Sequence, residues 1–471
     1  MYALIRIPSI VERYAPDFED LFSPEGYRYF RRYLSGLLVS ENKTLEAINR
    51  LFVLERRNQS SFNRFVNRQC FDLEALNSRR VGMMQSAEAT RFKSGHSGKH
   101  GVLALDDTLM SHWGKHFDGI YNLWDHVQER FCLAHNLVSL HYSDDKTDYP
   151  VFHELWRPPD WEKVAEKMRE LSIHVNADKW ERRAENVRKW NLYMRDRFRD
   201  YQHREPQLQQ AYRTKVLIGL DILRRFRRDY PRTELPLAMD HGYTSADACR
   251  IIDQELGMGY VGSLAGHQLV KAGGSAPIPL TELLVQLKAK HRSGDTQFFK
   301  TTVHFKDTEQ THYAYCANHH IPDFGKQRLV VSYQKEDLSD TPRYSVSNRL
   351  NWFASGILRI RRHRWPVETF HQEGKEEGLD KYQVRNTPAI STHIAFVSLA
   401  YTMLKRTAHD PELLSMLRQR LGLEPNGTPP FLRRLTQTEG LMALIEFVHL
   451  KCQQGTPLGK LFEQLLQPLA H

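Results

Sequence analysis

The spacing of apolar residues changes several times along this chain. From residue 1 to about 95, apolar side chains recur every three or four positions in "DLFSPEGYRYFRRYLSGLLV", "KTLEAINRLFVLE" and "SFNRFVNRQCFDLEALNSRRVGMMQ". That period predicts amphipathic helices separated by short polar breaks. After the polar, glycine-rich "KSGHSGKHG", the pattern becomes strand-like. "GVLALDDT" is a short apolar run ending in acid, and "RFCLAHNLVSLHYSDD" and "DYPVFHELW" read as a hairpin around "SDDKTD". Residues 160 to 230 are charged and helical, ending in an amphipathic helix stopped by Pro231. "ELPLAMDHGYTS" is a second apolar run ending in acid, followed by a helix, "SADACRIIDQEL", and a strand, "GYVGSLA". This order predicts an α/β fold, a mixed sheet flanked by helices.

"KAGGSAPIP" reads as a loop, and residues 296 to 334 alternate as strands do, which predicts a β-rich insertion. From residue 349 the chain is helical again. The expected organisation is a helical N-terminal DNA-binding region at 1–95 and a first part of the core at 96–270, with a charged helical segment at 160–215. The β-rich insertion follows at 271–345, then the end of the core at 346–408 and a helical C-terminal region at 409–471.

Charge narrows the choice of partner. The formal net charge is +10 over 471 residues, with 23 histidines in reserve. An excess of this size favours a polyanion, and nucleic acid is the commonest. No apolar run approaches the length of a spanning helix, and the N-terminus lacks a signal-peptide core, so the expectation is a cytoplasmic protein without a membrane partner. Five scattered cysteines suit a reducing compartment. No phosphate-binding glycine loop, dinucleotide fingerprint or serine or cysteine nucleophile motif is present. His312, Cys316, His319 and His320 lack the second ligand cluster expected of a zinc site.

Three acids attract notice. Asp106 and Asp240 each end an apolar strand, where ligand sites of such sheets gather. Glu368 lies in "RWPVETFHQEGKEEGLDKYQVR", residues 364–385. Pro366 suits a first helical turn, so a helix starting near Trp365 would put Glu368, His371 and Lys375 on one face. Three carboxylates suit two magnesium ions in phosphoryl transfer. The competing readings are ordinary: an aspartate after a strand caps a turn, and a mixed-charge helix is a solvated face.

The stretch from Arg364 to Lys375 resembles the signature of bacterial insertion-sequence transposases of the DDE class. That signature runs tyrosine, two residues, arginine, three residues, glutamate, six residues, lysine. Arg364, Glu368 and Lys375 match its last three members, and Arg361 stands where the family has tyrosine. "LALDDT" and "AMDHGY" resemble the family's two aspartate strands, and "GLDKYQVR" its continuation. The resemblance covers roughly residues 100 to 405. It implies an RNase H-like core and a metal-dependent transposase that cuts transposon ends and joins them to target DNA. Asp106 (rather than Asp107), Asp240 and Glu368 would be catalytic, holding two Mg2+ ions that Mn2+ can replace. Arg364 and Lys375 would fix phosphates. Arg361, Arg362, Trp365, His371, Tyr382 and Arg385 complete the expected DNA-binding set. It implies double-stranded DNA with terminal inverted repeats and target DNA as partners, a homodimer bridging two ends, and residence with the nucleoid. A nuclease without strand transfer shares the same acids, and a non-catalytic domesticated DNA-binding protein would keep only the basic surfaces.

Overall fold

The computed structural model describes residues 3–55, 57–95, 100–271, 276–424 and 426–466. Part of the linker at 93–101 and part of the loop at 271–279 lie outside these.

The first strand, β1 (Val102–Ser111), carries the pattern that organises the sheet. Successive side chains on a strand point to opposite faces. Leu103 and Leu105 enter the large core on one side, whereas Val102 enters a smaller core on the other. β2 (Tyr121–Asp125), β3 (Arg130–Ser143) and β4 (Asp148–Trp156) follow, with β3 antiparallel to both β1 and β4. The predicted hairpin is therefore present, and β2 shares the outer edge of β3 near its start. β5 (Leu237–Met239) lies parallel to β1, and β6 (Tyr260–Leu264) lies parallel to β5. The central order β4–β3–β1–β5–β6, antiparallel at first and parallel from β1 onward, is that of an RNase H-like sheet.

Beyond β6 the sheet continues. β9 (Phe299–Phe305), β10 (Thr308–Ile321) and β11 (Gly325–Tyr333) fill the alternating stretch, and β12 (Arg343–Ser347) pairs with β6. The short pair β7 (Leu269–Val270) and β8 (Ile278–Pro279) stands apart. The β-rich stretch thus extends the central sheet while keeping its own small core. That core rests on α11 (Leu280–Arg292), a helix the alternation gave no sign of. Leu280, Leu283, Leu284 and Leu287 supply its buried face.

The N-terminal helices are α1 (Ser9–Tyr14), α2 (Pro24–Val39), α3 (Leu45–Arg50), α4 (Gln59–Arg68) and α5 (Leu73–Gln85). They do not form a separate head. They pack around α14 (Thr387–Thr407), a helix buried on nearly every side. Phe396 of α14 meets Phe30, Tyr33, Phe65 and Phe71 at ring separations of 5.4–6.1 Å. The charged segment folds as α6 (Trp161–Glu170), α7 (Ala177–Glu181) and α8 (Val187–Tyr201) over a core of its own. It returns to the sheet through α9 (Lys215–Asp229). Gly219 permits close approach of α9 to β1, because a Cβ there would lie 2.6 Å from Leu105. α10 (Ala246–Arg250) follows β5. α12 (Ala354–Arg362) and α13 (Trp365–Glu376) cover the other face of the sheet, and α15 (Pro411–Leu421), α16 (Pro429–Gln453) and α17 (Leu458–Leu466) close the chain. Among the described residues no helix is long and apolar enough to cross a membrane.

Candidate active site

Strand alternation separates the two aspartates of "LALDDT". Asp107 lies on the α9 side with Leu103 and Leu105, and both its oxygens are taken. Tyr243 Oη donates to Oδ1 at 3.0 Å, while Asn136 Nδ2 and Lys215 Nζ donate to Oδ2 at 2.6 and 2.9 Å. Asp107 is thus committed to holding β1, β3 and α9 together. Nothing in the sequence spacing announces these partners, which come from three different elements.

Asp106 points to the opposite face, toward α13. Its neighbour on β5 follows from register. Leu105 pairs with Met239 in the parallel ladder, so Asp106 and Asp240 stand side by side one residue further on; β5 ends at Met239, whereas β1 runs on to Ser111 along β3, so Asp106 lies within its strand and does not end it. Adjacent strands lie about 4.8 Å apart. Tyr243 N donates to Asp240 Oδ1 at 3.2 Å, and Thr244 Oγ1 to the Asp240 carbonyl at 2.6 Å, which fixes the turn after β5.

The third acid arrives from α13, which starts at Trp365 with Pro366 in its first turn, as the sequence predicts. Glu368 is partly exposed. Its link to Asp106 is Arg364, whose guanidinium donates to Asp106 Oδ2 through one terminal nitrogen and to Glu368 Oε1 through the other. Burial, with the charge of Asp240 adding to it, pushes the Asp106 carboxyl up to about 7 against the opposing pull of Arg364. Among the described residues no three His, Cys, Asp or Glu side chains form a ready metal cluster. Arg364 accounts for this: one positive group already sits between two of the acids. The donor set nevertheless suits a hard divalent cation. It consists of carboxylate oxygens only, and burial beside Asp240 raises the pKa of one of them.

The other expected DNA contacts are placed unequally. The Lys375 ammonium has no hydrogen-bond or ion-pair partner among the described residues, and the neighbouring Glu376 pairs instead with Arg433 at 2.8 Å. Lys375 is therefore not the partner of an adjacent glutamate. Arg362, Trp365 and Arg385 are exposed. Arg361 is turned inward, donating to the Tyr344 carbonyl at 3.0 Å and to Ser345 Oγ at 2.7 Å. His371 is buried, and Tyr382 is buried with its hydroxyl 2.6 Å from His135 Nδ1. These last three are used within the fold, and the run from Arg359 to Arg364 is not a continuous phosphate-binding stripe. The other basic run, Arg224 to Arg228, is largely neutralised by Asp221, Asp229, Glu74 and Glu255.

A second constellation lies near this face of the sheet. Ser143 Oγ is 2.8 Å from His363 Nδ1, and His363 Nε2 is 3.3 Å from Asp145. The order is that of a hydrolytic triad, but Ser143 and His363 have no exposed surface. No substrate reaches them, and their role is structural.

The profile of the DDE superfamily endonucleases matches residues 17–282, more than half of the chain. The chain belongs to that family. The matched stretch contains Asp106 and Asp240 and ends before Glu368. No curated protein matches the chain significantly. As a DDE superfamily endonuclease it is a nuclease-type enzyme with DNA as its substrate, in a family that typically uses divalent metal ions.

Proposed function

We propose that the chain is a DNA transposase in which Asp106, Asp240 and Glu368 form the catalytic set. The observation that carries this reading is the convergence, on one face of the sheet, of Asp106 within β1, Asp240 just past β5 and the helix residue Glu368, which Arg364 links to Asp106. A non-catalytic DNA-binding protein has no use for a partly protonated buried acid beside a second carboxylate.

Asp106, Asp240 and Glu368 would hold two Mg2+ ions, with Mn2+ able to replace them. When bound, such ions polarise the scissile phosphate and stabilise both the attacking and the leaving oxygen. The chain's own residues do the rest. Arg364, once freed from Asp106 and Glu368, would turn its guanidinium to a phosphate, and Lys375 would hold a neighbouring one. In the first step water attacks phosphorus and the bond to the 3′ oxygen breaks, leaving a free 3′ hydroxyl. In the second step that hydroxyl attacks a target phosphodiester, forming one P–O bond as another breaks. Two copies of the chain bring two terminal inverted repeats together.

The test uses duplexes carrying the repeats that flank the gene, with magnesium or manganese. Asp106→Asn, Asp240→Asn and Glu368→Gln are each expected to lower cutting by more than roughly 100-fold, beyond the 10–100-fold typical of residues that only support a metal ligand. Near wild-type cutting by Glu368→Gln would remove it from the set. Pre-cut ends with a 3′ hydroxyl, incubated with a target plasmid, test joining separately. Cutting without joining would mark a nuclease alone.

A further inference from the structure

Helix α4 has two unlike faces. Phe62, Phe65 and Val66 are buried. Phe62 stacks on Tyr29 with centroids 5.4 Å apart, and Phe65 lies nearly parallel to Phe396 at 6.1 Å. The opposite face shows Ser60, Asn63, Arg64 and Arg68 to solvent, with Gln59 and Asn67 half-buried at its edge. No residue of α4 is acidic, in a chain with 56 aspartates and glutamates. Its arginines are not neutralised as those of α9 are. Arg64 donates to Ser61 Oγ at 2.9 Å, and Arg68 has no ion pair among the described residues.

The helix stands as a ridge between two hollows. One, of about 440 Å³, is lined by Gln59, Asn63 and Asn67 and, across from them, by Gln383, Arg385 and Asn386. The other, of about 280 Å³, is lined by Ser61, Arg64 and Arg68 among others. Each hollow is bordered by one glutamate already paired with arginine, Glu46 with Arg50 and Glu25 with Arg57. Asn67 is a positioning residue. Its Oδ1 accepts from Asn386 Nδ2 at 2.7 Å, and its Nδ2 donates to Asn63 Oδ1 at 2.6 Å, which sets the Asn63 amide.

A helix about 10–12 Å in diameter with its side chains fits a major groove about 12 Å wide. Amides pair with adenine and guanidinium with guanine there, whereas contacts to phosphates carry no sequence directly. We infer that α4 is the sequence-reading element for duplex DNA, with Asn63 and Arg64 on base edges and Arg68 and Arg385 on the flanking phosphates. This rests on the reading of the chain as a DNA-cutting transposase and adds which surface chooses the DNA.

The full chain is used to select duplexes from a pool with a randomised window. Affinities for the selected duplex and for a scrambled one are then compared at fixed salt. Asn63→Ala and Arg64→Ala are each expected to reduce the affinity ratio by about 5- to 150-fold and to relax preference at one base position. Both positions are exposed, and unchanged melting temperatures would confirm folding. Arg64→Lys keeps the charge without the two-pronged geometry and is expected to lose the ratio as well. Enrichment of no motif by the wild type, or selection of the same motif with the same ratio by both alanine variants, would overturn the inference, and a full ratio in Arg64→Lys would overturn base reading by Arg64. The wild type is also assayed for cutting the selected duplex with magnesium. Absence of cutting, with a ratio that still depends on α4, would count against the catalytic reading alone and leave the reader in place.

Discussion

Arg364 reaches across 258 positions of sequence to donate to Asp106 while its other terminal nitrogen holds Glu368, four residues away. The bridge supplies within the chain a positive charge that the acids otherwise lack. Without it, Asp106 would stand buried beside Asp240 with no counter-charge. Leaving a buried polar group unpaired costs roughly 1–3 kcal/mol, and more when it is charged. Arg364→Ala is therefore expected to melt at lower temperature than the wild type in the absence of divalent ions. Added magnesium should recover more stability in the variant than in the wild type, because the cation and the guanidinium compete for the same oxygens. Equal magnesium responses in a thermal-shift titration would show that they do not share the site.

With Arg361 turned inward, Arg362, an expected DNA contact without an ion pair among the described residues, lies over the Phe305 ring, which leaves Lys375 and Arg385 as the two cationic contacts that form no ion pair and rest on no ring. On duplex DNA, each basic side chain withdrawn from a phosphate lowers the slope of log affinity against log salt by about 0.9. Replacing both with alanine should flatten the slope by about 1.8 and weaken binding alike across sequences. Binding curves at several salt concentrations check this, and an unchanged slope would return both residues to the solvated surface.

The sequence made the site's skeleton legible because its signals are local. Asp106 and Asp240 end apolar runs, and Pro366 marks the start of the helix carrying Glu368. Alternation also showed β3, β4 and the strands from β9 to β11. What it could not show depends on contacts between distant segments. The inward turn of Arg361 requires β12 to lie beside α12. Burial of His371 and Tyr382 follows from covering elements that no spacing identifies. Arg364 reads as a phosphate ligand in sequence, because its partner Asp106 becomes its neighbour only through folding. The helical period at 1–95 was equally clear, but it could not tell a free head from helices wrapped around α14.

That wrapping has a measurable consequence. Phe396 meets four aromatic rings from α2, α4 and the turn before α5. Truncating such a residue typically costs about 3–5 kcal/mol. Phe396→Ala should destabilise the N-terminal helices and the catalytic core in one transition, followed by far-ultraviolet circular dichroism and by tryptophan fluorescence. Two separated transitions would mean that the N-terminal helices fold independently.

Buried histidines predict the direction of acid sensitivity. His393 has both ring nitrogens in use: Tyr33 Oη lies 2.5 Å from Nδ1, and the Gly378 carbonyl lies 2.7 Å from Nε2. The carbonyl can only accept, so Nε2 carries the proton, the tyrosine hydroxyl donates to Nδ1, and the ring is neutral. Burial pushes its pKa down to about 4, and does the same to His112, to about 4, and to His153 and His371, to about 3. The unfolded chain binds these protons near pH 6.5. Stability from each is therefore complete above about pH 6.5 and is lost as pH falls toward 4, at up to about 1.4 kcal/mol per pH unit per group. Asp106 and Glu377, both pushed up to about 7 by burial, act in the opposite sense, since the folded chain holds their protons longer. Histidines pushed down outnumber acids pushed up, Glu373 and Asp380 included, so denaturant midpoints should fall between pH 6.5 and 5. His393→Gln keeps an amide able to donate to the Gly378 carbonyl but cannot titrate. It is expected to lower stability at pH 7 while making the pH dependence shallower by about one proton, as read from unfolding free energies across that range. An unchanged slope would mean that His393 is not held neutral, and that the tie between α14 and the end of the Glu368 helix does not depend on its protonation.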